Sequence, residues 1–207
     1  MRLALATLLL CSGCYSFSTL GRARVLEPGK VEVMAAPEGL AITNGKELAI
    51  RPVGDLGVRY GLSERVELDA KLTTLGLTLG PKVQLSRSPS CDCGVDIALA
   101  PAVAYTVQDK LTLELPVMFG INFTGGHQLV LAPRIAWQVR VDVPGADHPV
   151  SDLLAGASVG FVWQFSKHVA LMPEVAVLAQ PWAETGYNSN VGGGLGIQAA
   201  LGLLIDP

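Results

Sequence analysis

A strict period of two between Val95 and Val141 constrains this chain more than any other feature. Val95, Ile97, Leu99, Pro101, Val103, Tyr105 and Val107 are apolar, and Asp96, Ala98, Ala100, Ala102, Ala104 and Thr106 lie between them. The split recurs with Leu111, Leu113, Leu115, Val117, Phe119 and Ile121 against Thr112, Glu114, Met118 and Gly120. It recurs again with Leu129, Leu131, Ile135, Trp137, Val139 and Val141 against Gln128, Arg134, Gln138 and Arg140. Successive side chains of a strand point to opposite faces, so runs this long are β-strands with one greasy face.

The opposite face decides what the greasy face meets. A soluble barrel or a sandwich turns a charged, Lys- and Glu-rich surface to water, whereas a membrane barrel keeps small and polar residues inside. Here the second face is mostly Ala, Gly and Ser. Its charges are mixed in sign, as an enclosed network requires. They are Asp55, Arg59, Glu67, Asp69 and Lys71, then Lys82, Asp96 and Glu114, then Arg134, Arg140 and Glu174. A turn centred on Ser63 would set Tyr60 opposite Val66, Val58 opposite Leu68 and Leu56 opposite Ala70 on the greasy face. On the other face Arg59 would oppose Glu67 and Asp55 would oppose Lys71, two favourable cross-strand pairs. These charges are therefore read as a lumen charge network.

The pattern predicts about ten antiparallel strands, an even number as in small membrane barrels. They cover about Lys30–Ala36, Ala49–Tyr60, Arg65–Thr73 and Gly76–Ser86, three strands within the opening stretch, then about Leu154–Phe165, His168–Leu178 and Gly192–Leu204. Pro37, Gly39, Asn44 and Gly45 read as a loop. Long connections follow the first, seventh and ninth strands, and tight turns fall at Leu62–Glu64 and Ser166–His168, so long and short lie at opposite ends of the sheet. LGPKVQL, LAPAVAY, LAPRIAW and LMPEVAV repeat one spacing. Their prolines Pro81, Pro101, Pro133 and Pro173 each forfeit a ladder hydrogen bond, and they argue against a regular barrel.

The start of the chain is a targeting segment. Met1-Arg2 is basic, Leu3–Leu10 is apolar, and Cys11-Ser12-Gly13-Cys14 follows. Small residues before a cysteine resemble the lipobox of bacterial lipoproteins, with Cys14 the match. That resemblance implies cleavage after residue 13, diacylglycerol on the Cys14 sulfur, and a compartment outside the cytoplasm. Residues 1–13 are then a signal peptide, 14–29 the lipidated N-terminus and tether, and 30–205 the barrel. The tether ends in the turn signal Leu26-Glu27-Pro28-Gly29. Cys91 and Cys93 are a possible disulfide in an oxidising compartment. They are too few for a structural zinc site, so no metal or other cofactor is expected.

The lipobox-like CSGC, the turn phrase RYGLSERVEL and the alternating strands together resemble the small outer-membrane β-barrel proteins of Gram-negative bacteria, in a lipoprotein version. The resemblance covers most of the chain and implies an antiparallel up-and-down transmembrane β-barrel in the outer membrane, with membrane lipid as its partner. Two departures stand out. The chain ends in Ile205-Asp206-Pro207 where such barrels end in an aromatic, and the aromatic girdles are thin. The slightly acidic charge excludes nucleic acid as a partner. Some such barrels are lipid-modifying hydrolases, but His127, His148 and His168 fall at turns and loops, and no catalytic residue is expected. The expected role is structural or surface-interacting. The alternatives are a lipid-tethered soluble barrel or sandwich that carries a hydrophobic ligand, and a lipid-modifying hydrolase.

Overall fold

The computed structural model describes residues 16–43, 48–74, 76–89, 93–106, 110–140, 149–183 and 195–206. Its strands are β1 (Val31–Thr43), β2 (Leu48–Ser63), β3 (Val66–Thr73), β4 (Gly76–Ser86), β5 (Gly94–Leu99), β6 (Ala102–Thr106), β7 (Lys110–Phe123), β8 (His127–Arg140), β9 (Val150–Gln164), β10 (Val169–Ala183) and β11 (Leu195–Ile205). Each pairs antiparallel with its neighbours, and the β3–β4 and β1–β11 pairings close the sheet. β5 and β6 form one stave. Both pair with β4 in a single register, Leu99 beside Val83 and Val103 beside Leu79, and only Ala100-Pro101 interrupts them. The molecule is thus a closed barrel of ten staves.

The branched side chains form its outer belt. Ile135 and Trp163 are each 53 % exposed, and Leu68, Val103, Val159, Val175 and Leu201 also point outward. A continuous apolar surface of this extent does not face water; it faces lipid. Trp163 and Phe165 stack at 5.2 Å near the end that carries the short turns, with Phe123 and Phe161 close by. Trp137 and Tyr105 mark the other end. Leu153 pairs with Trp137 and lies ten residues (153 to 163) along β9 from Trp163. At about 3.3 Å per residue and a tilt of about 40°, that span is about 25 Å, the height of a membrane barrel's apolar band.

Several expectations change. β1 runs straight through Pro37 and Gly39, which pair with Gly54 and Pro52, so no loop begins there. The β2–β3 hairpin is displaced by two residues: Tyr60 pairs with Leu68, Val58 with Ala70, Leu56 with Leu72, Arg59 with Asp69, Gly57 with Lys71 and Asp55 with Thr73. An irregularity between Gly61 and Ser63 absorbs the extra chain. A shift of two keeps every side chain on its face, so the inside and outside sets survive the error in register. The four repeat prolines, Pro81, Pro101, Pro133 and Pro173, are accommodated without a bulge. Beside Pro173 the β9–β10 ladder is empty between Leu171–Trp163 and Glu174–Gly160, yet the register resumes unchanged. Pro133 lies beside a similar gap in β7–β8, while Pro81 and Pro101 face each other across the gap in β4–β5–β6.

The ends of the barrel differ. The connections after β2, β7 and β9 are short and share one rim with the start of β1, the end of β11 and the seven-residue connection between Ser86 and Gly94; we call this the turn end. The connections between Arg140 and Val150 and between Ala183 and Leu195 leave from the opposite rim, the loop end.

Candidate functional site

Residues 16–26, expected to be a tether, run through the lumen instead. The chain comes down inside the barrel and reverses at Glu27–Lys30, where Lys30 N donates to Glu27 O at 3.0 Å and Gly29 takes φ +79°. Proline at the second position and a left-handed glycine at the third make a type II turn. Gly29 N then donates to Gly61 O at 2.8 Å, which fastens the turn to β2.

An extended chain inside a barrel has no ladder partner, so its backbone groups must find side chains. The wall supplies them. Phe17 N donates to Gln198 Oε1 (2.6 Å), Ala23 N to Gln128 Oε1 (2.9 Å), Val25 N to Gln84 Oε1 (2.7 Å) and Leu26 N to Glu67 Oε2 (2.7 Å). Thr19 N and Leu20 N donate to the two oxygens of Glu174 at 2.6 and 2.8 Å. Leu20 has φ +36°, unusual for a branched residue, and this turns two successive N–H groups onto one carboxylate. In the other direction Lys71 Nζ donates to Ser18 O at 2.8 Å and Lys82 Nζ to Arg22 O at 2.9 Å.

The segment's side chains complete the lumen. Leu20 and Ala23 pack with Met34, Met118, Met172 and Leu204, and Phe17 with Leu40, Ala176 and Leu178. Wall glycines make the room: a Cβ on Gly196 would stand 2.7 Å from the Phe17 ring, and one on Gly202 3.0 Å from Leu20 Cδ2. Arg24 forms a two-pronged bond to Asp96, Nε–Oδ2 2.9 Å and Nη2–Oδ1 3.1 Å. Asp96 is 0 % exposed and also accepts from Asn122, Gln128 and Ser88 N. Arg22 reaches Gly126 O at 3.0 Å and bonds Gln164.

The charges expected from the sequence all face this lumen. Lys71 Nζ lies 3.1 Å from Asp55, Arg59 3.7 Å from Glu67, Arg134 3.7 Å from Glu114, and Arg140 3.0 Å from Asp152. Arg59 and Glu67 meet diagonally across β2–β3, not as directly opposed residues. Lys82 also bonds Glu67, and Arg59 bonds Glu32. Asp69 is the direct cross-strand partner of Arg59. It lines a cavity of about 70 Å³ with Arg59, Lys71, Glu114, Arg134 and residues 18–20. Glu174 holds the threaded backbone and, among the described residues, forms no ion pair. Not expected from the sequence were Arg22, Arg24, Glu32, Asp152 and Glu38, which accepts from Ser18 Oγ at 2.6 Å, nor the capture of the thread by glutamines 84, 128 and 198. Glycine and alanine on the inner face were the signal for them, since so small a lining leaves a space that something must fill.

The other expected residues sit apart. Cys14, Cys91 and His148 lie outside the described residues; Cys93 is exposed. His127 Nδ1 accepts from Gln164 N at 3.1 Å and stacks on Phe161, while His168 Nδ1 lies 2.9 Å from Asp206 O. Both histidines belong to the turn-end rim.

No protein-family model and no curated protein matches the chain. Solved structures do. An outer-membrane channel from Pseudomonas putida F1 superposes with a TM-score of 0.57 at 11% identity, over 90% of this chain and 98% of that one. The outer-membrane protease OmpT from Escherichia coli superposes at 0.51 and 7% identity, over 89% and 100%. This chain has the fold of an outer-membrane β-barrel.

Proposed function

We propose that this protein is an outer-membrane lipoprotein, acylated on Cys14, whose sealed barrel serves as a structural or surface-interaction element without catalysis. Acylation rests on the lipobox-like Cys11-Ser12-Gly13-Cys14; the observation that carries the sealed barrel is the capture of the threaded backbone by Gln84, Gln128, Glu174, Gln198 and Glu67. A lumen filled this way, among the described residues, supports a barrel without an open path for solutes. The contact surface is then the loop end, with the connections after β8 and β10. The channel of P. putida and the protease of E. coli share the barrel, but identities this low carry over neither activity. The outward belt speaks against the soluble, ligand-carrying alternative, whose apolar face would turn inward.

Three measurements on the full chain test the proposal. In planar bilayers it gives no stepwise conductance. Labelled palmitate enters the wild-type chain and not Cys14→Ala. After alkaline washing, Cys14→Ala stays with the membrane pellet. Conductance steps, label retained in Cys14→Ala, or release of that variant would each overturn the corresponding part.

A further inference from the structure

The threaded segment has a direction, and its partners record it. Leu26 is held by Glu67 and Val25 by Gln84, both within three residues of the turn end of their strands. Ala23 is held by Gln128, one residue from the start of β8. Thr19 and Leu20 meet Glu174, further up β10. Phe17 meets Gln198, three residues from the loop end of β11. Ser16 Oγ lies 2.7 Å from Asp55 and 3.4 Å from Lys71 Nζ, and Lys71 is two residues from the loop end of β3. Read from residue 26 back to residue 16, the chain climbs from the turn end to the loop end.

We infer that the protein is threaded through its own barrel, so that its mature amino end is delivered to the loop end, opposite the carboxyl end. Asp206 is fixed at the turn end by His168, with Asp206 N donating to His168 O at 2.9 Å. In outer-membrane barrels the longer loops face outside the cell, so the amino end is at the cell surface and the carboxyl end in the periplasm. With acylation of Cys14, as proposed above, the lipid enters the outer leaflet. The distance allows it: two residues span at most about 7 Å. Ser16 sits beside β3, an eight-residue strand whose pairing with β4 ends at Thr73 and Gly76, with Leu72 and Leu77 facing lipid.

The test places an epitope tag between Cys14 and Tyr15 in one full-length variant and after Pro207 in another. Antibody binding is compared on intact cells and after outer-membrane permeabilisation. The expected result is an amino-terminal tag read without loss on intact cells, and a carboxyl-terminal tag whose signal is lost until permeabilisation. An amino-terminal tag reached only after permeabilisation overturns the inference, as does a carboxyl-terminal tag read on intact cells.

The amino-terminal tag in Cys14→Ala separates the two proposals. A surface tag without palmitate keeps the thread and removes the lipid.

Discussion

The two faces of each strand follow different rules. On the outside, Leu68, Val103, Val159, Val175 and Leu201 meet a fluid of hydrocarbon, and any side chain of similar polarity serves. On the inside, Gln198, Gln128, Gln84 and Glu67 each meet one particular backbone N–H, and Glu174 meets two. One alternating sequence thus carries a nonspecific solvent interface and a specific binding site, separated by a single residue step. The difference follows from the medium. Lipid offers no hydrogen bonds, so the belt has nothing to discriminate, while an enclosed polar atom without a partner costs several kcal/mol.

The largest test of that contrast removes the occupant. A chain lacking residues 16–26 leaves wall acceptors unpaired and Asp96 without Arg24. It is expected to lose most of its folded yield in micelles, measured by heat-modifiable gel mobility, and the fraction that folds should show conductance steps that the full chain is expected to lack. Next comes Asp96→Ala, which strands Arg24 in the lumen. Breaking a buried pair costs about 3–5 kcal/mol, read as a lower urea midpoint, whereas Asp96→Asn should recover part of it. On the outer face only a charge should matter. Val159→Arg, near the middle of the belt, should cost about 2–4 kcal/mol, and Val159→Leu under about 0.5 kcal/mol. The smallest inward change, Gly196→Ala, places a methyl 2.7 Å from the Phe17 ring and should cost about 1–3 kcal/mol by overpacking. Equal costs for Val159→Leu and Gly196→Ala would erase the distinction between the faces.

Much of this was legible beforehand, for a local reason. Alternation needs only neighbouring residues, so strand identity and the inner set Asp55, Arg59, Glu67, Glu114 and Arg134 could be read directly. Register could not. The turn after β2 admits two extra residues at Gly61–Ser63, and the displaced pairing satisfies the same alternation. The prolines misled because a single strand shows a lost hydrogen bond but not the neighbouring ladder, in which the gap leaves the register intact.

The threaded segment was the least legible part. Residues 16–26 show no period, because their contacts are made by backbone N–H and C=O groups that nearly every residue possesses. Nothing in Phe17 or Val25 announces a partner in Gln198 or Gln84, far away along the chain. What the sequence determined by itself was the two-faced ribbon: hydrophobicity is a property of each residue and its period survives any arrangement of strands. What only the tertiary structure decided was the occupant of the closed space, because a lumen, and the unmet acceptors pointing into it, exist only once the last strand has paired with the first.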